Sequence, residues 1–169
     1  MKRFSVQKNI AALVLSVLFS ALSNAQTFPS KPLRLVVPFP PGGGTDIIAR
    51  TLGAAMSKEL NEQVVVDNRG GAAGIIAMEA TAKAAPDGYL LGLGSSGNLV
   101  VAPHLYPKAG YNVQKDIATV SQLATTAYAV AVNPSVPVKT VKELIKLALS
   151  KKDLLSYGSS GAGASSHVA

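Results

Sequence analysis

From residue 33 to residue 93 the chain alternates short apolar runs with longer stretches of helical periodicity. No other feature restricts the possible folds as much. Residues 33–37, 64–66 and 89–93 have strand length and almost no polar interruption. Residues 46–60 place Ile48, Leu52, Ala55 or Met56, and Leu60 on one helical face, and residues 73–84 form an alanine-rich helix closed by Pro86-Asp87-Gly88. A strand apolar on both faces must be covered on both, and strands joined through helices run parallel. The expected architecture is therefore α/β, a parallel sheet with helices on either side and right-handed crossovers.

Beyond this repeat the texture changes. Pro103, Pro107 and Gly110 interrupt any long element between residues 98 and 116. Residues 119–123 and 127–132 are strand candidates on either side of Thr125-Thr126, and Asn133-Pro134-Ser135-Val136-Pro137 is a turn. Thr140 and Glu143 have capping-box spacing and open a helix to about Ser150. Residues 154–157 read as a short strand followed by GSSGAGASSHVA. A helix just begun, with its apolar face unpaired, makes the chain read as truncated at its C-terminus.

Lys2, Arg3 and Lys8 accompany an apolar segment from 10 to 22, which ends in Ser23-Asn24-Ala25. A basic start, a short apolar stretch and small residues before the cut describe a secretory signal peptide, with cleavage expected after Ala25. The segment falls short of the about 20 residues that a membrane span needs. Cleavage removes three basic residues, so Lys+Arg falls from 16 to 13 against 9 Asp+Glu and the net charge falls from +7 to +4. The remaining cations are scattered apart from Lys151-Lys152, which argues against a nucleic-acid partner. The chain has no cysteine. For an exported protein of this size that suits a bacterial periplasm and removes thiolate metal sites. With two histidines, His104 and His167, a histidine-rich metal site is also excluded. Neither metal nor cofactor is expected.

Two segments share one order of parts: strand, glycine-rich loop, helix start. The first runs through Pro38, Pro40, Pro41, Gly42, Gly43 and Gly44 to Thr45 and Asp46, and the second spans residues 154–168. The first N–H groups of a helix lack internal partners and carry partial positive charge. Glycine lets a ligand come close to them, so a carboxylate or phosphate can bind without lysine or arginine. Such sites lie at the carboxyl ends of parallel strands. The plainer reading is a tight turn with Thr45 or Asp46 as the helix cap. Asp46 competes with an anion for the same amides, and the residues leave open whether it caps the helix or faces a ligand ammonium.

Two sharper chemistries are weaker. Gly92, Gly94 and Gly97 match G-x-G-x-x-G with Asp116 further on, but Pro103 and Pro107 oppose the helix that a dinucleotide loop opens. Ser95, Ser96 and Asn98 are better read as hydrogen-bond donors at a strand end. A serine hydrolase would use Ser160 or Ser165 with His167, yet the runs from Gly94 and Gly158 both lack the last glycine of G-x-S-x-G. His167 then reads as a helix residue near the loop, His104 as a loop histidine, and Arg69 as a solvated cation or a carboxylate partner.

In order along the chain stand VPFPPGGGTDIIAR, VVVDNRGGAAG, APDGYLL, PHLYPKAGYNVQKDIATV, VNPSVPVKTVKELI and YGSSGAGASSH. Together they resemble the periplasmic solute receptors of tripartite tricarboxylate transporters, the Bug-type binding proteins. The resemblance implies a periplasmic-binding-protein-like fold of type II, two α/β domains closing on a small carboxylate, in chains about twice this length. It divides this chain into a signal peptide (1–25), the N-terminal part of a first domain (26–124) and the start of a second domain incomplete here (125–169). It implies a monomer when full length, no catalysis, and membrane permease subunits as partners. The ligand residues it implies are Pro41, Gly42, Gly43, Gly44, Thr45 and Asp46 from the first loop, and Ser95, Ser96 and Asn98 after the third strand. Ser159, Gly161, Gly163, Ser165 and Ser166 come from the last loop. NRGGAAG and LSKKDLLSYGS depart from the family pattern in segments expected outside the pocket, and Val168 follows His167 where leucine is usual.

Overall fold

The computed structural model describes residues 27–150 and 155–168. The export segment and its cleavage site lie outside the described residues. The ordered elements begin with strand β1 (Leu33–Val37), helix α1 (Gly44–Leu60), strand β2 (Val64–Asn68), helix α2 (Ile75–Ala82) and strand β3 (Leu90–Gly92). The strands make one parallel sheet in the order β2-β1-β3. Leu33 lies opposite Val64 and Val37 opposite Asn68, while Arg34 lies opposite Leu90 and Val36 opposite Gly92.

Alternate residues of a strand face opposite sides of its sheet. Leu33, Leu35 and Val37 pack with Ala49, Leu52, Met56 and Leu60 of α1. Val36 packs on the other side with Ile75, Ala77 and Met78 of α2, and with Ala102 and Tyr111. Leu35 is 2 % exposed and Val36 fully buried. Burying a side chain of this size contributes about 1.5–3 kcal/mol. An unbroken apolar run is therefore most stable in the central strand, where both faces are covered. The expected parallel α/β layer is present, with α1 ended by Asn61 in the left-handed region.

Residues 97–116 hold more helix than their prolines suggest. A π-type turn at Gly97–Val101 runs directly into α3 (Ala102–Leu105), which contains Pro103 and His104. In this turn the Ala102 N–H donates five residues back, to the Gly97 carbonyl. The next bond of that kind would run from position 103 to the Asn98 carbonyl, and proline has no N–H. The Tyr111 hydroxyl donates to that carbonyl instead. Burial, and behind it the charge of Glu79, pushes the Tyr111 phenol above its ordinary value, so it stays a donor. Helix α4 (Val113–Asp116) follows, capped by the Asn112 side chain, which accepts from the Gln114 and Lys115 N–H groups.

The remainder corrects three strand expectations. Residues 119–123 and 127–132 form no strand and are exposed throughout, Val120 to 88 %. Residues 155–157 form none either, and residue 154 lies outside the described residues. A strand exists through its hydrogen-bonded neighbour, and none stands beside these segments among the described residues. The capping box, which needs no distant partner, does form. The Glu143 N–H donates to Thr140 Oγ1 at 3.2 Å, and Glu143 Oε2 accepts from the Thr140 N–H at 3.2 Å. It opens α5 (Val141–Ser150), which buries none of its residues. The last element is α6 (Ser165–Val168). Among the described residues no helix is long and apolar enough to cross a membrane.

Candidate functional site

Because the strands are parallel and in register, Val37, Asn68 and Gly92 end side by side, and the loops that follow share one edge of the sheet. At this edge a cavity of about 230 Å³ is lined by residues 38–40, residues 71–74, Tyr106 and residues 160–162. Among the described residues no charged side chain lines it. The Tyr106 hydroxyl donates to the Ala162 carbonyl at 2.9 Å, tying the last loop to α3 across 56 residues of sequence.

The first loop is closed by its own carboxylate. Gly43 is the N-cap of α1 and makes no side-chain cap. Asp46, in the first helical turn, reaches back instead: its Oδ2 accepts from the Gly42 N–H and from Arg50 Nε, each at 2.9 Å. Its Oδ1 accepts from Asn68 Nδ2 at 3.0 Å, and the same amide donates to the Phe39 carbonyl at 3.0 Å. The residue is only 3 % exposed. The Arg50 bond, then those from Gly42 and Asn68, hold its carboxyl down at about 2. Asp46 is thus neither the N-cap nor free to face an ammonium; it joins the β1–α1 loop to the end of β2. The N–H groups of Gly44 and Thr45 have no acceptor among the described residues.

The second loop, expected outside the pocket, instead supplies Gly71, Ala72, Ala73 and Gly74 to the lining. Helix α2 begins at Ile75 rather than Ala73 because a left-handed turn precedes it, with Ala72 at φ 46° and Ala73 at φ 56°. The Gly74 N–H bonds the Gly71 carbonyl at 2.9 Å. Arg69, just upstream, pairs with Asp67 at 2.9 Å. Nothing local in sequence forecasts alanine at positive φ, which is why this wall was missed; the paired glycines around it were the available signal.

The third and last loops meet. Ser165 Oγ lies 3.0 Å from Ser96 Oγ and accepts from the Gly97 N–H at 2.9 Å. Asn98 is fully buried, and its Oδ1 accepts from the Ser95 N–H at 2.8 Å. Asn98 Nδ2 and Ser95 Oγ have no partner among the described residues. Ser160 and Ser166 bond each other through their hydroxyls at 2.7 Å, and Ser159 Oγ accepts from the Gly161 N–H at 3.3 Å. His167 Nδ1 accepts from the Gly163 N–H at 3.2 Å, and its ring stacks on Tyr157. No serine hydroxyl is bonded to His167 among the described residues, so the nucleophile–base pair of a hydrolase is not assembled. Ser96 is thus brought to Ser165 and Ser95 to Asn98, while Ser166 pairs with Ser160, Gly163 lies against Tyr106, Leu105 and Ala73, Gly161 is on the cavity wall, and Pro41 through Asp46 follow its Pro40 in the chain.

A family model described as tripartite tricarboxylate transporter family receptor matches residues 48–169. A UPF0065 protein of Bordetella pertussis is 38% identical over 168 residues, 99% of this chain and 51% of that protein. An R. palustris protein solved with adipate superposes with a TM-score of 0.74 at 35% identity, covering 81% of this chain and 46% of the other. MatC from Rhodopseudomonas palustris, solved with bound malate, gives 0.66 at 34% identity over 76% of this chain and 44% of its own. The chain spans about half the length of the curated relatives it matches, and its fold is that of periplasmic binding proteins. The matched stretch contains residues 71–74, Tyr106 and residues 160–162 of the cavity wall, and this chain belongs to the tripartite tricarboxylate transporter receptor family.

Proposed function

We propose that this chain forms one side of the solute cleft of a periplasmic receptor, exported with removal of residues 1–25. It captures a small carboxylate and presents it to the membrane permease subunits of a tripartite transporter. The first α/β domain ends near residue 124, and the segment from 125 onward belongs to a second. The observation that carries this reading is the cavity itself. It stands where parallel strands end, is walled by backbone rather than charge, and includes Ala72, Ala73 and Ala162, whose N–H groups have no acceptor among the described residues. Neutral amide donors suit an oxyanion that must be both held and released. The adipate and malate of the two solved relatives support a dicarboxylate; tricarboxylates, amino acids and aromatic acids belong to the same class of candidates. No covalent step is involved, and Ser160 and Ser165 act as hydrogen-bonding groups.

Titration calorimetry of the chain against these four classes of acid is the test. Saturable heat with at least one carboxylate is the expected result. A chain shown by circular dichroism to be folded, yet silent with every acid, contradicts the receptor reading. Stoichiometric labelling of Ser160 or Ser165 by a fluorophosphonate would transfer the protein to the hydrolases.

A further inference from the structure

We infer that Tyr106 and Ser165 form a latch: positioning residues whose hydroxyls hold the last loop, and with it one wall of the cavity, against residues 96–106. This rests on the receptor reading, with its division of the chain near residue 124, and adds to it what keeps the two sides together.

The later part of the chain is attached at one small place. Among the described residues from 118 onward, Gly163, Ala164 and Ser165 alone are buried. Residues 119–132 and α5 bury nothing. An attachment so narrow can open while the sheet behind it stays folded, because opening costs a few bonds rather than a core.

Those bonds stand at two ends of one seam. At the first, the Tyr106 hydroxyl donates to the Ala162 carbonyl at 2.9 Å. A Cβ on Gly163 would stand 3.2 Å from Tyr106 Cε2 and 3.4 Å from Leu105 Cδ1, and Gly163 has φ 82°. Glycine supplies both that backbone and that closeness. At the second end, Ser165 Oγ accepts from the Gly97 N–H at 2.9 Å and lies 3.0 Å from Ser96 Oγ. A Cβ on Gly97 would come within 2.7 Å of the Ser165 nitrogen, so the two backbones touch there as well. Every donor and acceptor is a protein atom, and the latch needs no solute to form. Residues 160–162 line the cavity directly before the buried trio, so the latch sets where that wall stands. A single bond of this kind shifts an equilibrium about fivefold. That biases the wall toward the cavity and still lets it go, as a closing receptor requires.

Hydrogen exchange of the ¹⁵N-labelled chain at low urea concentrations tests this. The Gly97 N–H crosses the seam and reports its opening. The Arg34 N–H, bonded to the Tyr89 carbonyl at 2.8 Å, reports the sheet. Gly97 is expected to exchange at a rate independent of urea, as local openings do, while Arg34 accelerates with it. Tyr106→Phe removes the hydroxyl and keeps the ring, and should speed Gly97 about fivefold although its own bond is untouched. Saturating adipate should slow Gly97 in the parent, because a solute between the walls stabilises the latched state. A Gly97 rate that follows urea as Arg34 does means that the seam opens only with the whole fold, and overturns the latch. A Gly97 rate unchanged in a folded Tyr106→Phe variant overturns it too; if circular dichroism shows that variant unfolded, the parent's urea dependence decides alone. Calorimetric heat with adipate but no slowing of Gly97 removes the latch from solute capture and leaves the receptor standing. No heat with any carboxylate overturns the receptor reading, whatever the exchange shows at the seam.

Discussion

The loops after β1 and β2 begin alike, a strand end followed by adjacent glycines and a helix, and finish differently. In the first, the Asp46 carboxylate takes up the Gly42 amide and ties the loop to Asn68 and Arg50. In the second no side chain caps the turn, and its shape is kept by backbone in the left-handed region. The acidic side chain inside the first glycine loop takes up one of its amides, that of Gly42, and makes the loop a structural joint, while the Gly44 and Thr45 amides keep no acceptor among the described residues. The loop of glycine and alanine has no such side chain, and its Ala72 and Ala73 amides have no acceptor among the described residues. The difference teaches that glycine content marks where a chain approaches closely, while the neighbouring side chains decide whether a ligand is welcome.

Substitution at matched glycines breaks the comparison most directly. Gly74→Ala forces a Cβ to within 2.8 Å of Asn98 Nδ2 and Pro38 Cβ at a φ of 90°, and should cost about 2–3 kcal/mol in urea unfolding. A loss below half a unit of that scale would mean that the second turn is not rigid. Asp46→Asn should come next. The carboxyl sits at about 2 against an ordinary 3.8, so its stabilisation is whole above 3.8 and disappears as pH falls through about 2. Urea midpoints of parent and variant should therefore differ at pH 5 and converge toward pH 2; parallel curves would deny the network its role. Tyr106→Phe removes the single bond from α3 to the Ala162 carbonyl and should cost about 1 kcal/mol by the same measurement. At the first loop Gly44→Ala meets nothing within 4 Å and should stay within about 0.5 kcal/mol of the parent.

The sequence marked Ser96 as a hydrogen-bond donor at a strand end, and the resemblance implied Ser165 and Ser166 as ligand residues; that Ser96 meets Ser165 across 69 residues of chain, and that Ser166 meets Ser160, was decided by the fold. Phe39, Tyr106 and residues 71–74 were not legible as pocket wall, because each joins the cavity through the meeting of segments far apart in sequence. His104, expected in a loop, lies in α3 because Tyr111 satisfies the carbonyl that Pro103 leaves unpaired.

By itself the sequence determined the central strand, the two helices that cover it and the Thr140–Glu143 cap. Apolar periodicity and a hydroxyl three residues from a carboxylate act within a few residues of chain. The tertiary structure decided whether the later apolar stretches became strands, where Asp46 spent its lone pairs, and which backbone amides stayed unpaired at the cavity. Those outcomes depend on partners such as Asn68, 22 residues from Asp46, or Ser165, 68 residues from Gly97. A hydrogen bond or a strand pairing has no energy until both of its members occupy the same place.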